Sequence, residues 1–206
     1  MDIQFFDSIS VPVPLNMIYA RLGYKKGKTD IGAAMRKRVD AQIDEAMNII
    51  KLRGSAAMID IKGIDEARTV LENNIELKSV ELARMLNGCG ELLFMGSTAG
   101  REIVDMIRGK SRVNDMACAV VYDAVASEVV DKAIDWISAL YNRRLSRENK
   151  RLTRRRYSAG YGDFLLDNQK IICETLMMKK LGVGLTQNYM LVPEKSVTAV
   201  SGILKA

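Results

Sequence analysis

Eight cationic side chains, Arg143, Arg144, Arg147, Lys150, Arg151, Arg154, Arg155 and Arg156, stand close together and are opposed only by Glu148. Charge at that density attracts anions, whether a phosphate backbone or an acidic protein face. A solvated helix end is the plain alternative, since cations near a helix C-terminus complement its dipole. The run finishes in Arg156-Tyr157-Ser158-Ala159-Gly160-Tyr161. A guanidinium is a rigid fork of donors that meets a carboxylate bidentately, which a lysine cannot do. Ser158 and Ala159 are small enough for the backbone to approach a ligand, and Gly160 reaches dihedral angles closed to other residues. Tyr161 offers an aromatic face to a cation. Read alone, Gly160-Tyr161 is also an ordinary turn followed by a packed tyrosine.

Other chemistry is thinly represented. The chain has no histidine, which removes the usual general base and the commonest transition-metal ligand. Triad hydrolases and histidine-based zinc enzymes therefore fit poorly, and no catalytic or metal-ligating residue is assigned. Cys89, Cys118 and Cys173 are odd in number and widely spaced, so they read as reduced, buried thiols. Gly96-Ser97-Thr98-Ala99-Gly100 is the nearest approach to a glycine-rich phosphate loop, but a strand-to-helix turn explains it better.

The elements that must position these groups follow from hydrophobic spacing. Residues 1–14, with two prolines, predict an extended arm leading into a helix over Leu15–Leu22 that Gly23 ends. After the basic turn Lys25-Lys26-Gly27-Lys28, Thr29 or Asp30 is placed to cap a helix with Ile31, Met35, Val39, Ile43, Met47 and Ile50 on one face. Strands are expected over Ala56–Ile61 and Thr69–Leu77, a short helix capped by Ser79, and a central strand at Leu92–Met95. Met116, Val120, Ala124, Val130, Ile134, Ile137 and Tyr141 predict one long core helix from about Asn114 to Asn149. Beyond it come an extended Arg151–Tyr157, a helix over Asp167–Lys180, and a β-hairpin over Leu185–Leu204 turning at Val192–Lys195. Without a regular strand-helix-strand repeat, the expected class is α+β: a single domain over residues 1–206 with a twisted antiparallel or mixed sheet, a long core helix and flanking helices.

Composition agrees with a globular chain, at 206 residues, 48% hydrophobic, 27% charged and a net charge of +6. No apolar stretch is long enough to span a bilayer and no signal peptide is visible, so a cytoplasmic location is expected.

The spacing Arg156-x-x-x-Gly160-Tyr161, followed by Lys170 opening an amphipathic helix and then Leu185-Thr186, Pro193 and Ser196-Val197, resembles the reactivation domain of cobalamin-dependent methionine synthase. Leu22-Gly23-Tyr24-Lys25-Lys26-Gly27 is similar to the N-terminal region of its short, free-standing members. The resemblance spans nearly the whole chain, although its strong motif occupies residues 156–197. It implies binding of S-adenosylmethionine by Arg156, Ser158, Ala159, Gly160 and Tyr161, with a helix carboxylate, Glu128, taking the ammonium group or ribose; Asp123 and Asp131 are the fallbacks. It further implies an accessory component, not a complete enzyme alone, that supports remethylation of cob(II)alamin. The cobalamin would be carried by the cobalamin-binding module of a separate synthase, and the electron would come from a flavodoxin-like donor.

Three departures from the family stand out. Gly162-Asp163-Phe164-Leu165-Leu166-Asp167 replaces a stretch that contains a histidine in the larger members. Those members also continue past the position of Ala206 to a further ligand-touching tyrosine. An N-terminal ligand-binding aspartate has no clear counterpart here. Two other readings are a basic nucleic-acid-binding protein, with Tyr141, Tyr157 and Tyr161 available for stacking, and a regulatory protein that binds S-adenosylmethionine without catalysis.

Overall fold

Alternation along the central strands divides the core in two. The computed structural model describes residues 2–25 and 27–205, so Lys26 of the expected basic turn lies outside the described residues. The strands are β1 (Ile3–Phe6), β2 (Arg53–Ile64), β3 (Arg68–Leu71), β4 (Glu76–Lys78), β5 (Glu91–Thr98), β6 (Lys150–Leu152), β7 (Gly184–Leu185), β8 (Leu191–Val192) and β9 (Ser196–Lys205). The helices are α1 (Leu15–Arg21), α2 (Ala33–Ile49), α3 (Val80–Leu86), α4 (Arg101–Arg112), α5 (Met116–Leu145) and α6 (Asn168–Thr175). Seven strands form one sheet in the order β4-β3-β2-β5-β9-β6, with β1 added against β2, and every pairing is antiparallel. The class is α+β, as the irregular mixture of elements predicts.

Successive residues of a strand face opposite sides. Ala56, Leu93, Met95, Ala199 and Ile203 join a core with α2, α4 and α5. Their neighbours Ala57, Leu92, Phe94 and Val200 join a second core with α3, α6 and the segment Leu176–Val183. Helix α5 lies between the sheet and the helices α1, α2 and α4, which is why it buries residues around much of its circumference. Asp115 caps it by accepting from Cys118 N at 3.4 Å.

Several elements depart from the sequence expectation. Met116 and Val120 lie on the exposed side of α5, beyond the helices that cover its later turns. Neither Thr29 nor Asp30 caps α2, which starts at Ala33 after Gly32 with no side-chain cap. Helix α4 follows the turn at Ala99-Gly100, as the strand-to-helix reading of that segment implies, although its range has no counterpart among the predicted elements. Helix α6 stops at Thr175, and a separate 3-10 turn follows over Met178–Leu181. The terminal hairpin is β7–β8 around residues 186–190; after Pro193 the chain enters β9, which pairs with β5 and β6 in the main sheet. Long-range pairing thus captures the last strand that local alternation assigned to a hairpin.

Cys89, Cys118 and Cys173 are buried and free. Among the described residues, no helix is long and apolar enough to cross a membrane.

Candidate functional site

Strand β6 follows β9 as far as Thr153, whose N–H donates to Gly202 O at 2.8 Å. The chain then loops out over Arg154–Arg156 and rejoins β9 at Tyr157, which exchanges backbone bonds with Val200 at 2.9 and 2.7 Å. This excursion leaves Arg154 and Arg155 in solvent and turns Arg156 back toward α5. There its guanidinium donates to Asp135 and stands 3.8 Å from Asp131. Burial pushes the Asp131 carboxyl above the usual carboxylate range, although Arg156 opposes the shift. Burial acts on Asp135 as well, but hydrogen bonds from Lys132 and Arg156 outweigh it and hold that carboxyl low.

The following turn is built locally. Gly160 N donates to Phe164 O at 2.7 Å, and Gly160 takes φ of 94°, a conformation that favours glycine. Two ties then fix the turn to α3. Tyr157 donates its hydroxyl to Glu81, and this bond, helped by burial, pushes the phenol up to about 12. Asp163 accepts from Ser79 Oγ at 2.5 Å and Val80 N at 2.6 Å, while Ser79 Oγ also accepts from Leu82 N at 2.9 Å. The Ser79 bond leads in holding the Asp163 carboxyl below its ordinary range. Gly162 makes room for these ties, because a Cβ there would stand 2.5 Å from both Glu81 Oε2 and Tyr157 Oη.

A cleft of about 460 Å³ opens beside this turn, within the range typical of small-molecule sites. Arg156, Ser158, Ala159 and Tyr161 line it together, and Gly160 shapes the turn that presents them. Tyr161 is 70% exposed, so one face of its ring is open. The rest of the lining comes from Asp131 of α5, Gln169 of α6, Tyr189 and Met190 before β8, and Glu194 with the start of β9. Gln169 is buried and donates from Nε2 to Thr198 Oγ1 at 2.8 Å. Lys195 pins the β8–β9 connection to α5 through Asp123 at 2.7 Å and Ser127 at 3.0 Å, and Glu194 pairs with Arg108 at 2.9 Å.

Glu128 has a different neighbour. It is buried on α5 and accepts from Arg21 Nε at 2.5 Å, tying α1 to the long helix, and it is not among the residues lining the cleft. Asp131, three residues further along the same helix, is the α5 carboxylate at the cleft.

No protein-family model matches the chain, and no curated protein does. Among solved structures, the crystal structure of the MetH reactivation domain bound to AdoHcy matches with a TM-score of 0.68. The match covers 98% of this chain and 78% of that one, at 14% sequence identity. This chain has the reactivation-domain fold.

Within that fold, the sequence motif and the cleft coincide in part: Ser196 and Val197, spaced from Arg156 in the motif, return along β9 to line the same cavity, whereas Lys170, Leu185 and Thr186 line a different one. Sequence reasoning did not single out Gln169, Thr198, Tyr189, Met190 or Glu194. Their only signal is position, since each lies within or beside the segments 167–197 that carry the motif. The basic cluster also divides. Lys150 pairs with Glu91 and Glu148, Arg144 with Gln4, and Arg156 with the α5 carboxylates. Arg143, Arg147, Arg151, Arg154 and Arg155 are exposed, with no acidic partner among the described residues.

Proposed function

We propose that this cleft binds S-adenosylmethionine and that the protein supports reductive remethylation of cob(II)alamin carried by a separate methionine synthase. The single observation that carries the reading is the convergence of Arg156, Ser158, Ala159 and Tyr161 on one cleft in a fold shared with a domain solved bound to AdoHcy. Supporting it chemically, an amino-acid end carries one positive and one negative group. Arg156 and Asp131, adjacent on the cleft wall, offer one partner of each sign.

In this reading Arg156 exchanges part of its ion pairing with Asp131 for the ligand carboxylate, while Asp135 keeps the guanidinium oriented. Asp131, released from that pairing, accepts from the ligand ammonium. The exposed ring of Tyr161 lies beside the sulfonium, and the small residues Ser158 and Ala159 leave the backbone accessible to the nucleoside. Glu128 acts through its bond to Arg21, holding α1 against the helix that carries Asp131. When bound on the partner, reduced cobalt supplies the nucleophile for the sulfonium methyl. The chain's own task is then to present that methyl at the cleft mouth in a fixed orientation, which requires no proton transfer and no histidine.

The unpaired arginines that precede Arg156 in the chain suit an acidic partner face, either the cobalamin-binding module or a flavodoxin-like electron donor. Stacking on nucleic acid is less well served: Tyr141 is buried and the half-buried Tyr157 ring packs against Phe164 at 6.1 Å between centroids, which leaves Tyr161 as the one freely exposed ring of the three expected platforms. The test is a reconstituted assay with methyl-labelled S-adenosylmethionine, a reductant and a cobalamin-loaded module. Label on cobalamin that depends on this protein is the expected result. Ligand binding without transfer would leave a regulatory role instead.

A further inference from the structure

Among the described residues, six non-glycine positions adopt positive φ, and four of them are asparagines, a type that tolerates this conformation. The other two are Met177 at 49° and Tyr189 at 60°. Neither side chain offers the local hydrogen bond that excuses asparagine, and bulky residues held this way recur at ligand clamps. Both line one cleft of about 560 Å³ between α6, the 3-10 turn after it and strand β7, on the far side of Tyr189 from the site described above. Met177 is 41% and Tyr189 37% exposed, so the backbone holds two apolar side chains at its mouth.

The rest of the lining has a definite chemical character. Val183 and Leu185 are apolar, and Lys170, Lys179 and Lys180 contribute three positive charges against the single acid Glu174. None of these lysines has an acidic partner within ion-pair distance among the described residues; Lys180 Nζ instead lies 5.2 Å from the centre of the Phe5 ring. An apolar hollow ringed by unpaired ammonium groups suits a ligand with an apolar body and an anionic head. We propose that this second cleft is a binding site for a small amphipathic anion, of which a medium-chain carboxylate is the simplest member. The inference does not depend on what the first cleft binds.

Octanoate is the probe, titrated into the whole protein and followed by calorimetry and by the methyl resonances of Met177, Val183 and Leu185. Saturable binding of one octanoate per chain is expected, with shifts at those three methyl-bearing residues. Octanamide, which keeps the chain but loses the charge, should bind about tenfold more weakly, as should octanoate to the exposed triple variant Lys170→Gln, Lys179→Gln, Lys180→Gln. Inorganic phosphate, with charge and no apolar body, should not shift the three residues. Tyr189→Asn preserves the backbone turn while removing an apolar lip, and should weaken octanoate in a folded protein. Absence of saturable octanoate binding, or binding undiminished in the lysine variant, would overturn the proposal.

Discussion

On the α5 side of the sheet, Leu93, Met95 and Ala199 meet a continuous helix, and the contact is almost wholly apolar. Bonds from Ser97 Oγ to Val130 O at 3.0 Å, from Ser138 Oγ to Met95 Sδ at 3.2 Å and from Leu152 N to Asn142 Oδ1 at 2.9 Å add register. On the opposite side the covering chain is irregular over residues 153–167 and 176–183, and specific polar ties hold it. Ser55 donates to Leu176 O at 3.0 Å, Arg53 donates to Leu181 O at 2.9 Å, and Tyr157 and Asp163 engage α3. The first side shows how periodic burial makes a rigid platform. The second shows how a loop surface keeps a shaped cleft: side-chain hydrogen bonds substitute for the backbone bonds that a regular element would supply. The cleft is assembled at the junction, with Asp131 from the platform and Arg156 from the loop.

Substitutions on the two sides should therefore separate stability from binding. The largest effect on folding is expected from Ile134→Ala, at a fully buried position of α5, at about 2–5 kcal/mol of unfolding free energy by denaturant titration. Its S-adenosylmethionine affinity should stay within about twofold of wild type if the platform acts only as support. Ser79→Ala on the loop side removes the α3 cap and the donor to Asp163. It should cost a smaller amount, about 0.5–2 kcal/mol, and should also weaken the ligand, because the turn bearing Ser158 and Ala159 loses an anchor. Equal loss of affinity in both variants would erase the distinction between the sides.

A pH series sharpens the same contrast. The folded-state carboxyl of Asp163 titrates below its ordinary value, so its contribution is present above the unfolded carboxylate range and is lost as pH falls through the lower folded value. Asp163→Ala should be less stable than wild type near neutrality, and the gap should close in acid, whereas the deficit of Ile134→Ala should not follow that titration. The smallest effect on stability belongs to Arg143→Glu, Arg147→Glu, Arg151→Glu, within about 0.5 kcal/mol for exposed positions. That variant should lose most of the salt dependence of partner binding. Unchanged complex formation and salt dependence would remove the arginine patch from the account.

Legibility in the sequence tracks the same two sides. The long core helix, the buried strand at Leu92–Met95 and the Ser79 cap are read from local spacing, because each is decided by neighbours a few residues away. Helix α4 carries Ile103, Val104 and Ile107 at helical spacing, and the strand-to-helix turn read at Gly96–Gly100 leads into it, but Arg101, Glu102, Asp105 and Arg108 between them leave its extent unmarked. Strand β9 was assigned to a hairpin because Pro193 interrupts an alternating stretch, and its real partners, β5 and β6, are remote in sequence. For the site, the segment Arg156–Tyr161 brings four of the expected residues to one cleft, and Ser196 and Val197 of the motif join them. That Asp131 lines the cleft and Glu128 does not is not legible in the sequence, since residues three apart share a helix face. What separates them is Arg21, a residue of a different helix that engages Glu128. The ties from Tyr157 to Glu81 and from Asp163 to Ser79 likewise join segments about eighty residues apart, and no local pattern announces them.

The most direct measurement is calorimetric titration of S-adenosylmethionine into the wild-type protein and into Arg156→Ala. Saturable binding to one site, weakened in the variant by about 1.5–3 kcal/mol with an unchanged melting transition, is the predicted result. No binding to wild type, or equal affinity in the two proteins, would contradict the assignment of the Arg156 cleft as the ligand site.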